Sequence, residues 1–274
     1  MTTFTPPTPA VLEPTRARGG LLAAALTAPE GWEQGLQVPF YGCGEPIVRN
    51  KCITAEDEAH RPNVGEFPSF PIEQGSTCST LSRLPHDQFA LGRLDATTEW
   101  ALGRQLQSDL AETGAPKLDD GTNLGLVELE PLVVIPFAMA FALGCLEQAA
   151  ADTGFGERVW IHTTVKGATW LGASSLIDAN GFTPAGSRIV ISPGYQNPSE
   201  EAIRFWATGS VWAAVSSAQV MEGTDWRKND ATAYALRAGI VAFDPCINLS
   251  IDVHVPACPV PDESPADSPA ESPA

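Results

Sequence analysis

Residues 158–181 read RVWIHTTVKGATWLGASSLIDANG, with a single histidine near the start. An apolar run, Val159 to Ile161, leads into His162 and two threonines, then into an alanine-containing stretch of helical character. The pattern predicts a strand over 158–163, a short helix near 165–175, and a second buried strand, SRIVIS, at 187–192. On its strand His162 shares a face with Trp160 and Thr164, while Ile161 takes the other. Catalysis by such a histidine needs a placed serine or cysteine and an orienting carboxylate. No G-x-S-x-G elbow occurs, and no cysteine carries a recognisable nucleophile signature. His162 therefore reads as hydrogen-bonded packing. His254 lies on the polar face of another strand, and His60 and His86 fall in loop-like contexts.

Other candidate chemistry is equally thin. YGCGEP contains a G-x-G with no third glycine and no β-α frame, and there is no P-loop. TAEDEAH reads as a solvated charge run rather than a metal site. The six cysteines, Cys43, Cys52, Cys78, Cys145, Cys246 and Cys258, form no C-x-x-C and no zinc-ligand spacing. Cys145 and Cys246 sit in apolar runs as buried thiols, and the set reads as mostly reduced, although Cys43 and Cys52 are spaced for a loop disulfide. The expectation is no catalytic residue, no cofactor and no metal.

The chain has 274 residues, 43% of them hydrophobic, which is enough for a substantial core. Its 24 prolines and 24 glycines favour loops and extended arms over a helical bundle. A net charge of −17 repels nucleic acid at close range, so direct duplex readout is not expected. TRARGGLLAAALTAPE mimics a minimal secretory signal, but its arginines lie well inside the chain and its apolar run is short; it reads as a packed arm. PLVVIPFAMAFALGCL is broken by Pro136 and falls short of the ~20 residues that span a bilayer.

Along the chain, residues 1–60 lack periodicity and scatter apolar anchors, among them Leu21, Leu22, Trp32, Phe40 and Tyr41. Stretched out, the first 35 residues reach ~115 Å at about 3.3 Å per residue. Residues 61–82, with Phe67 and Phe70, predict a hairpin or long loop with a bulge near Gly75. A long helix follows over 86–113, bounded by Pro85 and Gly114. Leu91, Leu94, Leu102, Leu106 and Leu110 form its drifting stripe, and Trp100 points the opposite way. Residues 137–152 predict a mostly buried helix, and 209–221 and 229–243 two further strands. INLSIDVHV alternates without a miss, with Asn248, Ser250, Asp252 and His254 on its polar face. The tail repeats SPA with acidic residues between and cannot form a core.

This order of elements resembles the Hong Kong 97 fold, the coat fold of tailed bacteriophages and encapsulin shells. VWIHTTVKGATWLGASSLIDANG with SRIVISPGY is similar to a recurrent coat-protein segment, and NDATAYALRAGIVAFDPCINLSIDV to the closing pair of long strands. RGGLLAAA and FDPC look like short coat proteins of actinobacterial phages. The resemblance implies an α+β fold divided into an N-terminal arm (1–60), an extended loop (61–85), and a spine helix with the start of a peripheral domain (86–136). An axial and peripheral domain (137–256) and a disordered acidic tail (257–274) complete it. It implies a non-enzymatic major capsid protein that assembles with itself, as hexamers and pentamers, into an icosahedral head. That head encloses double-stranded DNA without sequence-specific binding, is made in the host cytoplasm and has no membrane. Portal, scaffold and decoration proteins are the further partners, with any scaffold a separate chain. No lysine–asparagine crosslinking pair is matched. The expected contact residues are Leu21, Leu22, Trp32, Phe40, Tyr41, Phe67, Phe70 and Trp100. An encapsulin-type compartment, a head or tail accessory protein, and an exported hydrolase led by LLAAALTA remain as alternatives.

Overall fold

The computed structural model describes residues 20–39, 64–79, 86–128, 135–153, 159–225, 227–228 and 230–256, and the structural statements below concern these. Elements are numbered in chain order.

Two sheets carry the fold. The first runs β5 (Thr122–Val127), β12 (Asn248–His254), β8 (Ala202–Thr208), β6 (Trp160–Thr163), β7 (Arg188–Ile191). Pairs β5–β12 and β6–β7 are parallel, and β12–β8 and β8–β6 antiparallel. Helices α3 (Ile135–Asp152) and α4 (Val165–Ala173) contribute to a core with one face, through Ile161, Ile189, Phe205, Ile251 and Val253. On the other face Trp160, Val190 and Trp206 join a second core with α2 (His86–Ser108). Burial on both faces explains the apolar runs WIHT and RIVI, which need not alternate. The strand and helix expected at 158–163 and 165–175 form as β6 and α4, and Thr164 caps α4 by accepting the Gly167 N–H at 3.2 Å. Asp178 then folds the return turn, accepting the N–H groups of Asn180 and Phe182 at 2.8 Å.

The polar face of β12 is largely covered. Ser250 and Asp252 are buried, paired with Trp206 and Arg204 of β8 on the face where Trp206 joins the α2 core. Asp252 is answered by a bidentate Arg204, with Nε at 2.6 Å and Nη2 at 2.8 Å, and by Asn123 at 3.2 Å. The partner strand β8, interrupted by that arginine, was not foreseen.

In the second sheet β11 (Asp230–Phe243) pairs with β10 (Gln219–Asp225), β9 (Val211–Val215) and β4 (Phe70–Ser79), while β1 (Leu26–Thr27) lies parallel to β9. The span 209–221 thus contains β9 and the start of β10. The β4–β11 register runs unbroken from Ser79 to Phe70, so the bulge expected near Gly75 is absent. Gly75 instead makes room for a ring: a Cβ there would sit 3.1 Å from Tyr234 Cε1. The hairpin expected within 61–82 does not form either. β3 (Val64–Phe67) pairs with β2 (Leu36–Pro39), and β4 crosses to β11 past Pro68. The segments expected as arm and as loop therefore share a ladder.

Helix α2 stops at Ser108 rather than at residue 113. Asp109 turns to φ 54° and its carboxylate gathers the Thr113 and Gly114 N–H groups at 2.9 and 2.7 Å. Leu94, Leu102 and Leu106 are buried, whereas Leu110, beyond the helix, is half exposed. α3 begins around Pro136, whose missing N–H costs nothing in a first turn. Among the described residues no helix is long and apolar enough to cross a membrane. Cys145 is a free thiol on α3, but Cys246 is disulfide-bonded rather than reduced. It sits in the β11–β12 turn, half-buried, and not inside a strand.

Candidate subunit-contact surface

Residues 20–36, part of the expected arm, lie on the chain's own body. Leu21, Ala24, Ala28, Trp32 and Leu36 are buried in the α2 core. The carboxylate of Glu99 on α2 accepts the N–H groups of Leu21 and Leu22 at 3.0 and 3.1 Å, and Arg188 donates to Ala23 O at 3.4 Å. Burial raises the Glu99 pKa above its ordinary value, although the two amides pull against that. The stretch LLAAALTA is thus packed as α1 (Leu21–Ala24) and β1. Glu99→Ala strands two amides and should cost ~1–3 kcal/mol of stability, read from the urea midpoint; an unchanged midpoint would show that the arm needs no acceptor there.

The segment 192–197 straps the first sheet to α2. Ser192 Oγ donates to Glu99 O at 3.1 Å, and Gln107 and Gln196 exchange two hydrogen bonds of 3.0 and 2.8 Å. Gly194 lies flat on the helix, where a Cβ would fall 2.1 Å from Trp100 O.

Of the expected contact residues, Leu21, Trp32, Phe67 and Phe70 are buried in the chain's own core and offer no side-chain surface to a neighbour in this conformation. Leu22 is half-buried against that core. Phe40 and Tyr41 lie outside the described residues. Trp100 stands outward, 43% exposed, on the same side of α2 as Phe89 and Ala96.

The largest apolar exposure lies elsewhere, on α3. Phe137 is 70% and Phe141 62% exposed, four residues apart on one face. Ala138, Met139, Ala142 and Leu143 make the buried face. Residue size does not mark the split in the sequence: Met139, Leu143 and Leu146 turn inward with the alanines, whereas Ala140 and Gly144 turn outward with the rings. Leu124 and Leu126 on β5, and Met221 and Tyr234 paired across β10 and β11, are further exposed apolar groups. Large side chains outward on several elements suit burial against another surface. His162 is fully buried and bonded through both ring nitrogens, so it is part of the packing. Among the described residues no cluster of metal-ligating side chains forms.

No protein-family model and no curated protein matches the chain. Solved structures do. A chain of the capsid of Ralstonia phage GP4 aligns with TM-score 0.53 at 12% identity, covering 96% of this chain and 97% of that one. A chain of the capsid of the native GTA particle gives 0.53 at 14%, over 94% and 96%. A chain of Mycobacterium phage Che8 gives 0.52 at 16%, over 92% and 98%. The chain therefore has the α+β coat fold of phage capsids, the Hong Kong 97-like fold that its sequence resembles. The likeness runs nearly end to end in both partners, so it is a likeness of whole chains and not of one shared layer.

Proposed function

We propose that this chain is the major capsid protein of a tailed bacteriophage, assembling with copies of itself into a closed icosahedral head around double-stranded DNA. The observation that carries this reading is the end-to-end likeness to capsid chains, joined to apolar side chains left outward by the monomer's own packing. In this reading α2 is the spine, and the outer faces of α3 and α2 meet neighbouring copies. The function is structural, without catalysis. The charge of −17 keeps free copies apart and leaves packaged DNA unbound to the wall.

Sedimentation velocity over a concentration series tests the proposal. Monomer should convert to very large particles above a threshold concentration, and added salt should lower that threshold by screening repulsion. A monomer at every concentration contradicts the assembly reading; a threshold indifferent to salt contradicts the role given to charge.

A further inference from the structure

His162 carries more than packing. Its ring on β6 is wholly buried, with Nδ1 2.8 Å from Tyr195 Oη and Nε2 2.9 Å from Thr208 Oγ1. The Thr208 hydroxyl donates to Gly209 O at 2.9 Å, so toward the ring it can only accept. That fixes the ring proton on Nε2 and leaves Nδ1 as a bare lone pair for the Tyr195 hydroxyl. Each hydrogen in the chain is committed: Tyr195 to His162, His162 to Thr208, Thr208 to Gly209.

A second proton on Nδ1 would meet the hydrogen of Tyr195. Around the ring, β8 brings Thr208 and Trp206, β7 brings Val190, and the strap brings Tyr195. From α2 the charge of Glu99 acts on Tyr195; burial and that charge keep the phenol protonated. Nothing in this set accepts a hydrogen bond from an added Nδ1 proton without displacing one already made. Tyr195 also belongs to the strap that Ser192 and Gln196 bind to α2.

We propose that His162 is an acid-sensitive pin joining the first sheet to the α2 strap, held in place only while the ring lacks its second proton. Opening the strap lets the ring take up one proton and become imidazolium. Burial holds the folded ring at a pKa of about 3, against an ordinary 6.5. The folded value is the depressed one, so the pin's contribution is complete above pH 6.5 and fades as pH falls toward 3. From pH 7 to pH 5 the opening equilibrium should rise about 25-fold through this one group. The inference does not depend on the capsid reading.

The test compares urea unfolding of the full chain at pH 7 and pH 5 with that of His162→Gln, which keeps an amide donor and cannot titrate. The acid-induced loss should be about 25-fold smaller in the variant. Equal losses in both proteins overturn the proposal. Should His162→Gln fail to fold, NMR of the wild-type histidine ring in unassembled protein decides. No titration of His162 between pH 7 and pH 4.5 supports the pin, and a midpoint near 6.5 in folded protein refutes it.

Discussion

Replacing both Phe137 and Phe141 with aspartate should abolish assembly while leaving the monomer folded. Both rings point away from the sheet that α3 covers, so the buried face of Ala138, Met139, Ala142 and Leu143 is untouched. Burial of a large apolar side chain contributes roughly 1.5–3 kcal/mol, so a contact that uses both rings loses about 3–6 kcal/mol. Two carboxylates brought to the same interface add a desolvation cost. The association constant of each contact should fall by roughly a hundredfold to ten-thousandfold, and a shell multiplies that loss over every repeat. Circular dichroism should match the wild type, and sedimentation should find only monomer. A double variant that assembles normally would show that this face of α3 looks onto solvent in the particle.

Gly194→Ala should damage the fold itself. The new methyl would sit 2.1 Å from Trp100 O and 2.8 Å from Arg104 N, both main-chain atoms of α2 that no rotamer can move aside. Overpacking ordinarily costs ~1–3 kcal/mol and occasionally more. Here the strap must lift and the Gln107–Gln196 exchange goes with it, so the upper end is expected. About 3 kcal/mol corresponds to a fall in Tm of roughly 6–12 °C for a chain of this size. Gly172→Ala is the control: its Cβ would meet nothing within 4 Å, and alanine favours the helix, so Tm should hold or rise. Equal behaviour of the two variants would mean that the strap does not rest on α2 as described.

How much of this was legible in the chain depends on the element. His162 as packing followed from what the sequence lacks, and the β6–α4–β7 order followed from periodicity and turn chemistry. The alternation of INLSIDVHV located β12 but not its surroundings. Whether Asp252 meets water or Arg204 depends on a strand 48 residues away that its own arginine disguises. Apolar content marked Leu21, Trp32, Phe67 and Phe70 as contact residues for a neighbouring copy, and it is their own α2 core that covers them here. Phe137 and Phe141 were hidden for the converse reason: in a run apolar on all sides, composition does not tell which face meets the sheet. The stop of α2 at Ser108 goes with the left-handed backbone of Asp109 and the turn its carboxylate closes onto the Thr113 and Gly114 N–H groups, which no hydrophobic pattern records.

Negative-stain electron microscopy of the purified full-length chain, raised through its assembly threshold, is the most direct trial of the coat reading. Closed shells of uniform diameter are the predicted result. Fields holding only single compact molecules at the highest attainable concentration, in low and in high salt alike, would contradict it.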